Sequence, residues 1–329
     1  MKSANPHLVI LRAMLAAGTG FVSGTKLATQ LGISRVAVWQ HMEKLRDQRF
    51  VFEAVRSRGY RLTHRPATLN ALLIEAHLPS ATNCRIICLD TVDSTNDEAM
   101  RLVGQGMATP LVVIAQEQTQ GRGRLGRTWL SEPNGNLYVT FGLRPAIPPS
   151  RLATITPWIG VNLCHLIANY CRISPQIKWP NDLLIDGRKA GGILTEARID
   201  ADHIRDLVIG FGLNLTRPRR GWTGDLAHRA IALDEVTRTP IDINHFAAAL
   251  VGRILAAAQA FQAGEHGEKL AEWWQRYDAL LNREVTVLHG RTAIAGRGAG
   301  IDPDGALVLK RSNGQHQRFH AGEVTIARR

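Results

Sequence analysis

Cysteine, aromatic residues and long apolar runs are scarce in this sequence, and each shortage narrows what the chain can be. Four cysteines in 329 residues form neither a disulfide frame nor a zinc pattern. Cys164 and Cys171 fall on a helical pattern about 10 Å apart, and Cys84 and Cys88 sit in a strand-like run about 13 Å apart, so neither pair is expected to share a metal. No uninterrupted run of 18 apolar residues and no leader pattern occurs, so a cytoplasmic protein without a membrane partner is expected. The H-E-x-x-H, Walker A and G-x-S-x-G signatures are missing, as is any internal repeat. Acidic residues are also short, 28 against 40 Lys and Arg, for a net charge of +12.

What is present suits a soluble chain of two or three domains, with 45% hydrophobic residues. The charge is unevenly spread. Residues 1–65 hold 11 Lys/Arg against 3 Asp/Glu, residues 66–282 are neutral, and residues 283–329 hold 8 against 4. A basic module joined to a neutral body is the footprint of nucleic-acid binding.

The sequence turns on Gly121-Arg122-Gly123-Arg124-Leu125-Gly126-Arg127, with Trp129 just behind. It follows an apolar, strand-like run, Leu111–Ala115. The glycine spacing satisfies G-x-G-x-x-G, but a dinucleotide fingerprint needs a helix next. Here the turn cluster Ser131-Glu132-Pro133-Asn134-Gly135-Asn136 and a second strand-like run, Leu137–Phe141, follow instead. Glycine-rich backbone costs roughly 1–2 kcal/mol per residue to order, and neighbouring guanidinium groups repel one another. The stretch reads as a mobile loop that a phosphate compound orders through bidentate arginine contacts, or as a solvated basic or RNA-binding loop.

The basic first module has a matching pattern. Pro6–Ala17 is helical in period. Ser23 can cap a second helix, Gly24–Leu31, which Gly32 ends. Ser34 can cap a third, from Arg35 to about Arg46, with Val36, Val38, Met42 and Leu45 facing inward and Arg35, Ala37, Gln40, His41 and Lys44 facing outward. Two short helices about a glycine turn predict a helix-turn-helix whose second helix enters the major groove. Phe50–Val55 and Tyr60–Leu62 then predict a hairpin with Arg56 and Arg58 at its tip, the wing of a winged helix.

His64–Ala67 reads as a linker. Thr95 and Glu98 have capping-box spacing for a helix. Leu152–Ile173 reads as a core helix by its apolar content. Ile177-Lys178-Trp179-Pro180-Asn181-Asp182 opens a hairpin turning at Asp186-Gly187. Its returning strand carries Lys189, costly to bury without an anion unless it snorkels to water. Gly191-Gly192, and Gly210 and Gly212 in the strand Leu207–Asn214, suit close backbone approach.

Taken together, the Arg122–Arg127 loop with Trp129, Lys178-Trp179-Pro180-Asn181-Asp182, Lys189 before Gly191-Gly192, and Gly210-Phe211-Gly212-Leu213-Asn214 resemble the biotin–protein ligases. With the helix-turn-helix in front, the whole chain is similar to the bifunctional bacterial biotin ligase and biotin-operon repressor family. One departure is Leu125, where the best-known members carry a fourth loop arginine.

The resemblance implies an α/β (α+β) protein of three domains. These are a winged helix-turn-helix (1–65), a mixed α/β ligase domain related to the class II synthetases (66–282), and a C-terminal SH3-like β-barrel (283–329). Turn signals at Pro303-Asp304-Gly305 and Asn313-Gly314 support the last independently. It implies two steps: biotin and ATP, with Mg²⁺, give biotinyl-5′-adenylate, and a lysine of a biotin carboxyl carrier protein then takes the biotinyl group. By resemblance, Lys189, Arg124 and Asp182 are catalytic. Ser94, Thr95, Asn96, Gln118, Gly121, Arg122, Arg124, Lys189, Gly192, Gly210 and Gly212 bind biotin. Arg124, Arg127, Trp129, Lys178, Asn181 and Asn214 bind ATP. No residue is assigned to a resident metal, and Asp182 is left between positioning Mg²⁺ and positioning the amine. Ser34, Arg35, Ala37, Gln40, His41, Lys44, Arg56 and Arg58 are expected to meet operator DNA of the biotin genes, with a homodimer forming once adenylate is bound. Three other readings stay open: a lipoate-type ligase, a non-enzymatic biotin-sensing DNA-binding protein, and a ligase without DNA binding.

Overall fold

The computed structural model describes residues 5–133 and 135–326. Asn134 of the turn cluster, and the chain ends that the expected domain limits include, lie outside the described residues. The chain divides into two compact units, Met1–Thr82 with Asp242–Ala249, and Asn83–Ile241 with Leu250–Arg329.

In the first unit, α1 (Pro6–Ala17), α2 (Gly24–Leu31) and α3 (Arg35–Arg46) precede the hairpin β1 (Val51–Val55) and β2 (Gly59–His64), and α4 (Ala71–His77) follows. The caps are those the sequence signals. Ser23 accepts from Lys26 N, Ser34 accepts from Ala37 N, and Gly32 ends α2 with a φ of 64°. Ile10, Leu11, Leu27, Val38, Met42, Leu45 and Leu73 are fully buried together. Two expectations change here. Val36 is 65% exposed rather than inward, because it lies about 200° around the helix from Val38. The expected linker is anchored: Asn244 donates to the carbonyls of Pro66 and Thr68 and accepts from Asn70 N at 2.8 Å. The expected boundary at residue 65 therefore falls inside this unit.

The second unit is built on a seven-stranded sheet. In chain order its elements are β3 (Arg85–Val92), α5 (Thr95–Gly104), β4 (Leu111–Gln118), β5 (Leu137–Leu143), α6 (Leu152–Cys171), β6 (Gln176–Lys178), β7 (Asp182–Ile185), β8 (Arg188–Asp200), β9 (His203–Leu213), α7 (Leu226–Arg229), α8 (Ile243–Ala263, whose first turns belong to the first unit) and α9 (Gly267–Tyr277). The strand order is β3-β4-β5-β9-β8-β7-β6, with β3 parallel to β4 and the other pairs antiparallel. Every residue of β5 is buried, as a central strand covered on both faces requires. The β7–β8 hairpin turns at Asp186 and Gly187, both with positive φ, which matches the D-G signal. The glycine–arginine loop between β4 and β5 holds only a single 3-10 turn, Arg124–Gly126, so the dinucleotide-fold reading fails in the structure as well.

The C-terminal part is a five-stranded antiparallel sheet of β10 (Glu284–His289), β11 (Thr292–Ile301), β12 (Leu307–Lys310), β13 (His316–Phe319) and β14 (Glu323–Ile326), in the order β13-β12-β11-β10-β14. Its interior holds Val285, Val287, Leu307, Leu309, Phe319 and Val324. By length and composition α8 is apolar enough to cross a membrane. Its Leu250, Val251, Ile254, Ala257 and Phe261 are nevertheless buried against protein, the behaviour of a core helix.

Candidate active site and nucleic-acid interface

One cavity of about 670 Å³ gathers residues from β4, the glycine–arginine loop, β6–β9 and β14. Its first wall is the start of α5, and the helix start differs from the expected capping box. Ser94 is the cap, accepting from Asp97 N, while Glu98 pairs with Arg101 at 2.6 Å. Thr95 is thereby free for another use. Its N–H and hydroxyl both donate to Gln118 Oε1, at 2.8 and 3.0 Å, and Gln118 Nε2 donates to Ser131 Oγ. Thr140 Oγ1 lies 2.7 Å from Asn96 Oδ1, and Asn96 Nδ2 donates to Leu194 O and Glu196. Ser94, Thr95 and Asn96 are all buried. A buried, interlocked set of this kind keeps its donors and acceptors fixed.

The opposite wall carries the charge. Asp182, at the start of β7, accepts from Lys189 at 2.6 Å and from Lys178 at 3.0 Å. The strand lysine is therefore supplied with an anion, which the linear sequence did not reveal. Burial alone would raise the Asp182 pKa, but the two ammonium groups hold it below the ordinary carboxylate range. Lys189 also stands 5.2 Å from the Trp129 ring, a cation–π distance. Arg124 donates to Asn181 Oδ1 at 3.3 Å, and Asn181 donates to Ile193 O. Half-buried, the Arg124 guanidinium has its pKa pressed down by desolvation.

The loop is tied at both ends. Arg122 pairs with Asp97 at 2.5 Å and Glu196 at 3.1 Å. Arg127 pairs with Glu323 of β14. Between them Leu125 is 74% exposed with a φ of 57°, a left-handed conformation that is unusual for leucine. Behind the loop, the Trp129 indole lies against Gly212, where a Cβ would sit 2.5 Å from the ring. The space that Gly212 leaves thus accommodates an indole, and the space at Gly210 accommodates Asn96. Trp129 Nε1 is buried and has no hydrogen-bond partner among the described residues.

Most sequence-derived residues converge on this cavity: Ser94, Thr95, Asn96, Gln118, Arg122, Arg124, Arg127, Trp129, Lys178, Asn181, Asp182, Lys189, Gly192, Gly210 and Gly212. Gly121 and Asn214 are not part of its lining. Gly121 bonds backbone to backbone with Trp129, and the Asn214 amide donates to the carbonyls of Lys189 and Ile231. Arg283, His228, Arg229 and Glu323 do line it and went unnoticed in the sequence, where none of them belongs to a motif with local spacing. Among the described residues, no group of three or more His, Cys, Asp or Glu could hold a metal.

In the first unit, Arg35, Gln40, Lys44, Arg56 and Arg58 are exposed. Arg58 lies over the Phe21 ring at 4.3 Å. Ser34 is exposed but its hydroxyl serves the cap, and Ala37 is half-buried. Contrary to expectation, His41 turns to His7, at 3.3 Å. The exposed face of α3 instead includes Val36 and Trp39, and Trp39 was not singled out in the sequence.

Three family models match in sequence order: an HTH domain over residues 8–61, the biotin/lipoate A/B protein ligase family over 88–214, and a biotin protein ligase C-terminal domain over 280–326. The chain is 33% identical over 311 residues to the bifunctional ligase/repressor BirA of Bacillus spizizenii, covering 93% of this chain and 94% of that protein. It is 31% identical to the protein of the same name from Escherichia coli, covering 96% of each. Among solved structures, the biotin protein ligase of Aquifex aeolicus in complex with biotin and ATP superposes with a TM-score of 0.63 at 27% identity, covering 74% of this chain and 99% of that one.

Proposed function

The chain belongs to the bifunctional biotin ligase/repressor family, and on that premise we propose that its cavity activates biotin with ATP and passes it to a lysine of a biotin carboxyl carrier protein. The observation that carries the reading is the meeting, in one cavity, of a buried neutral polar wall with a wall of Lys178, Lys189 and Arg124. The first wall suits the ureido ring of biotin. Ser94, Thr95, Asn96 and Gln118 offer fixed donors and acceptors, and Arg122 closes the loop's near end beside them. The second suits phosphate.

In the first step a biotin carboxylate oxygen attacks the α-phosphorus of ATP, and the bond to pyrophosphate breaks. Lys189 neutralises carboxylate and phosphate as they approach, while Arg124 and Lys178 take the charge that builds on the phosphate oxygens. Asn181 and Arg127 hold the nucleotide side, and the Trp129 ring packs beside the adenine. Mg²⁺ would enter with ATP as part of the substrate, and Asp182 would be a carboxylate on the phosphate wall. In the second step the acceptor amine attacks the biotinyl carbonyl carbon and AMP leaves. Closure of the glycine–arginine loop keeps water from the anhydride meanwhile.

The first unit gives the same protein a second role as a biotin-responsive repressor in the cytoplasm. Adenylate-bound copies pair, and two recognition helices reach two half-sites of one operator. Biotin is preferred to lipoate because the relatives of matching length are biotin ligases and because the loop carries three arginines. The test is exchange of labelled pyrophosphate into ATP. Exchange that requires biotin supports the assignment, and exchange driven by lipoate instead refutes it.

A further inference from the structure

Val36 and Trp39 are large, apolar and exposed, by 65% and 49%. Three residues apart, at the second and fifth positions of α3, they share one face of the helix with Gln40. The opposite face, Val38, Met42 and Leu45, is fully buried. The surroundings decide what the exposed face meets. Arg35 and Lys44 are exposed on the same helix, Arg56 and Arg58 at the hairpin tip, and residues 1–65 carry a net +8. A protein partner would have to match these cations with acids. DNA meets them with phosphates, and in the major groove it offers one apolar group among the base edges, the C5 methyl of thymine. The first turns of the second helix are the part of a helix-turn-helix that touches bases. Moreover, the Ser34 hydroxyl is occupied by Ala37 N and His41 by His7. That leaves fewer polar side chains on α3 to discriminate bases.

We propose that Val36 and Trp39 contact thymine methyl groups in the major groove, so that operator preference includes an apolar reading of T. This rests on the operator-binding role given above. The test begins with selection from a randomised DNA duplex pool by the full protein with biotin and MgATP. Each thymine of the selected duplex is then replaced singly by deoxyuridine, which removes only the methyl group. At one or two thymines per half-site the replacement should weaken binding by the wild-type protein about fourfold, the worth of one methyl group leaving water. Trp39→Ala and Val36→Ala should each bind the thymine and deoxyuridine duplexes equally at the position they contact. If a sequence is selected but deoxyuridine is tolerated everywhere by the wild type, this inference is overturned and the operator role stands. If no sequence is selected, both fall together.

Discussion

Asp182 Oδ1 lies 2.6 Å from Lys189 Nζ, so the lysine proposed to meet the reacting groups is already paired within the protein. The same carboxylate holds Lys178 at 3.0 Å. One half-buried acid thereby keeps two cations beside the cavity and limits the cost of gathering them. On the proposed reading, substrate phosphate would share cations that are already in position.

Lys189→Ala removes the ammonium group proposed to meet both reacting anions. Biotin-dependent pyrophosphate exchange should fall by about 10²–10³, the usual loss for one charge-stabilising donor, while the circular dichroism spectrum stays native. Exchange at the normal rate would make Lys189 a structural partner of Asp182 and nothing more.

Ties at Arg122 and Arg127 with an exposed Leu125 between them describe a loop fixed at its ends and exposed at its tip. Amide exchange of residues 121–127 should slow on adding biotin and MgATP. Arg124→Gly, which removes the contact to Asn181, should release adenylate faster. Glu323→Gln, which weakens the far tie, should speed exchange at Arg127 without ligand. Equal protection with and without ligand contradicts loop closure.

These ties also mark where reading the sequence stops. The hairpin at Asp186-Gly187 was legible because its turn chemistry is local, but the pairing of Asp182 with Lys189 across it was not. The Ser94 region was legible as a helix start, though Ser94 rather than Thr95 is the cap. Glu196 and Glu323 were not legible. They lie 74 and 196 residues from their arginine partners, and no spacing rule reaches that far. Asn244, which grips Asn70 from 174 residues away, escaped for the same reason. Val36 was misplaced for a different one. Two apolar residues two positions apart on a helix cannot share a face, and composition outweighed geometry there.

Asp278 supplies a pH dependence remote from the reaction. Burial pushes its carboxyl up to about 6, partly offset by the Leu280 N–H. Unfolded, it titrates near 3.8. Between those values the folded state binds more protons, so stability falls as pH rises and the loss is complete above about 6. The loss at pH 7 is roughly 3 kcal/mol. Asp278→Asn should therefore raise the Tm at pH 7 and change it little at pH 4. An equal shift at both pH values would show that the carboxyl is not perturbed.

For the first unit, the proposed ligand-dependent pairing predicts tighter binding to the regulatory DNA of the biotin genes with biotin and MgATP than without them. Joining two modules makes the second contact intramolecular. Arg35→Ala should weaken the complex whether it meets base or phosphate, and binding should fall steeply with salt. A titration at fixed salt that gives the same affinity in both states, without sequence preference, leaves a ligase with an idle winged helix.

The ligase role itself is tested most directly by the intact mass of a biotin carboxyl carrier domain after incubation with this protein, biotin and MgATP. The expected result is the addition of one biotinyl group, lost when the acceptor lysine is replaced by arginine and when Lys189→Ala is used. An unchanged acceptor mass, with an acceptor that a known biotin ligase does modify, would contradict it.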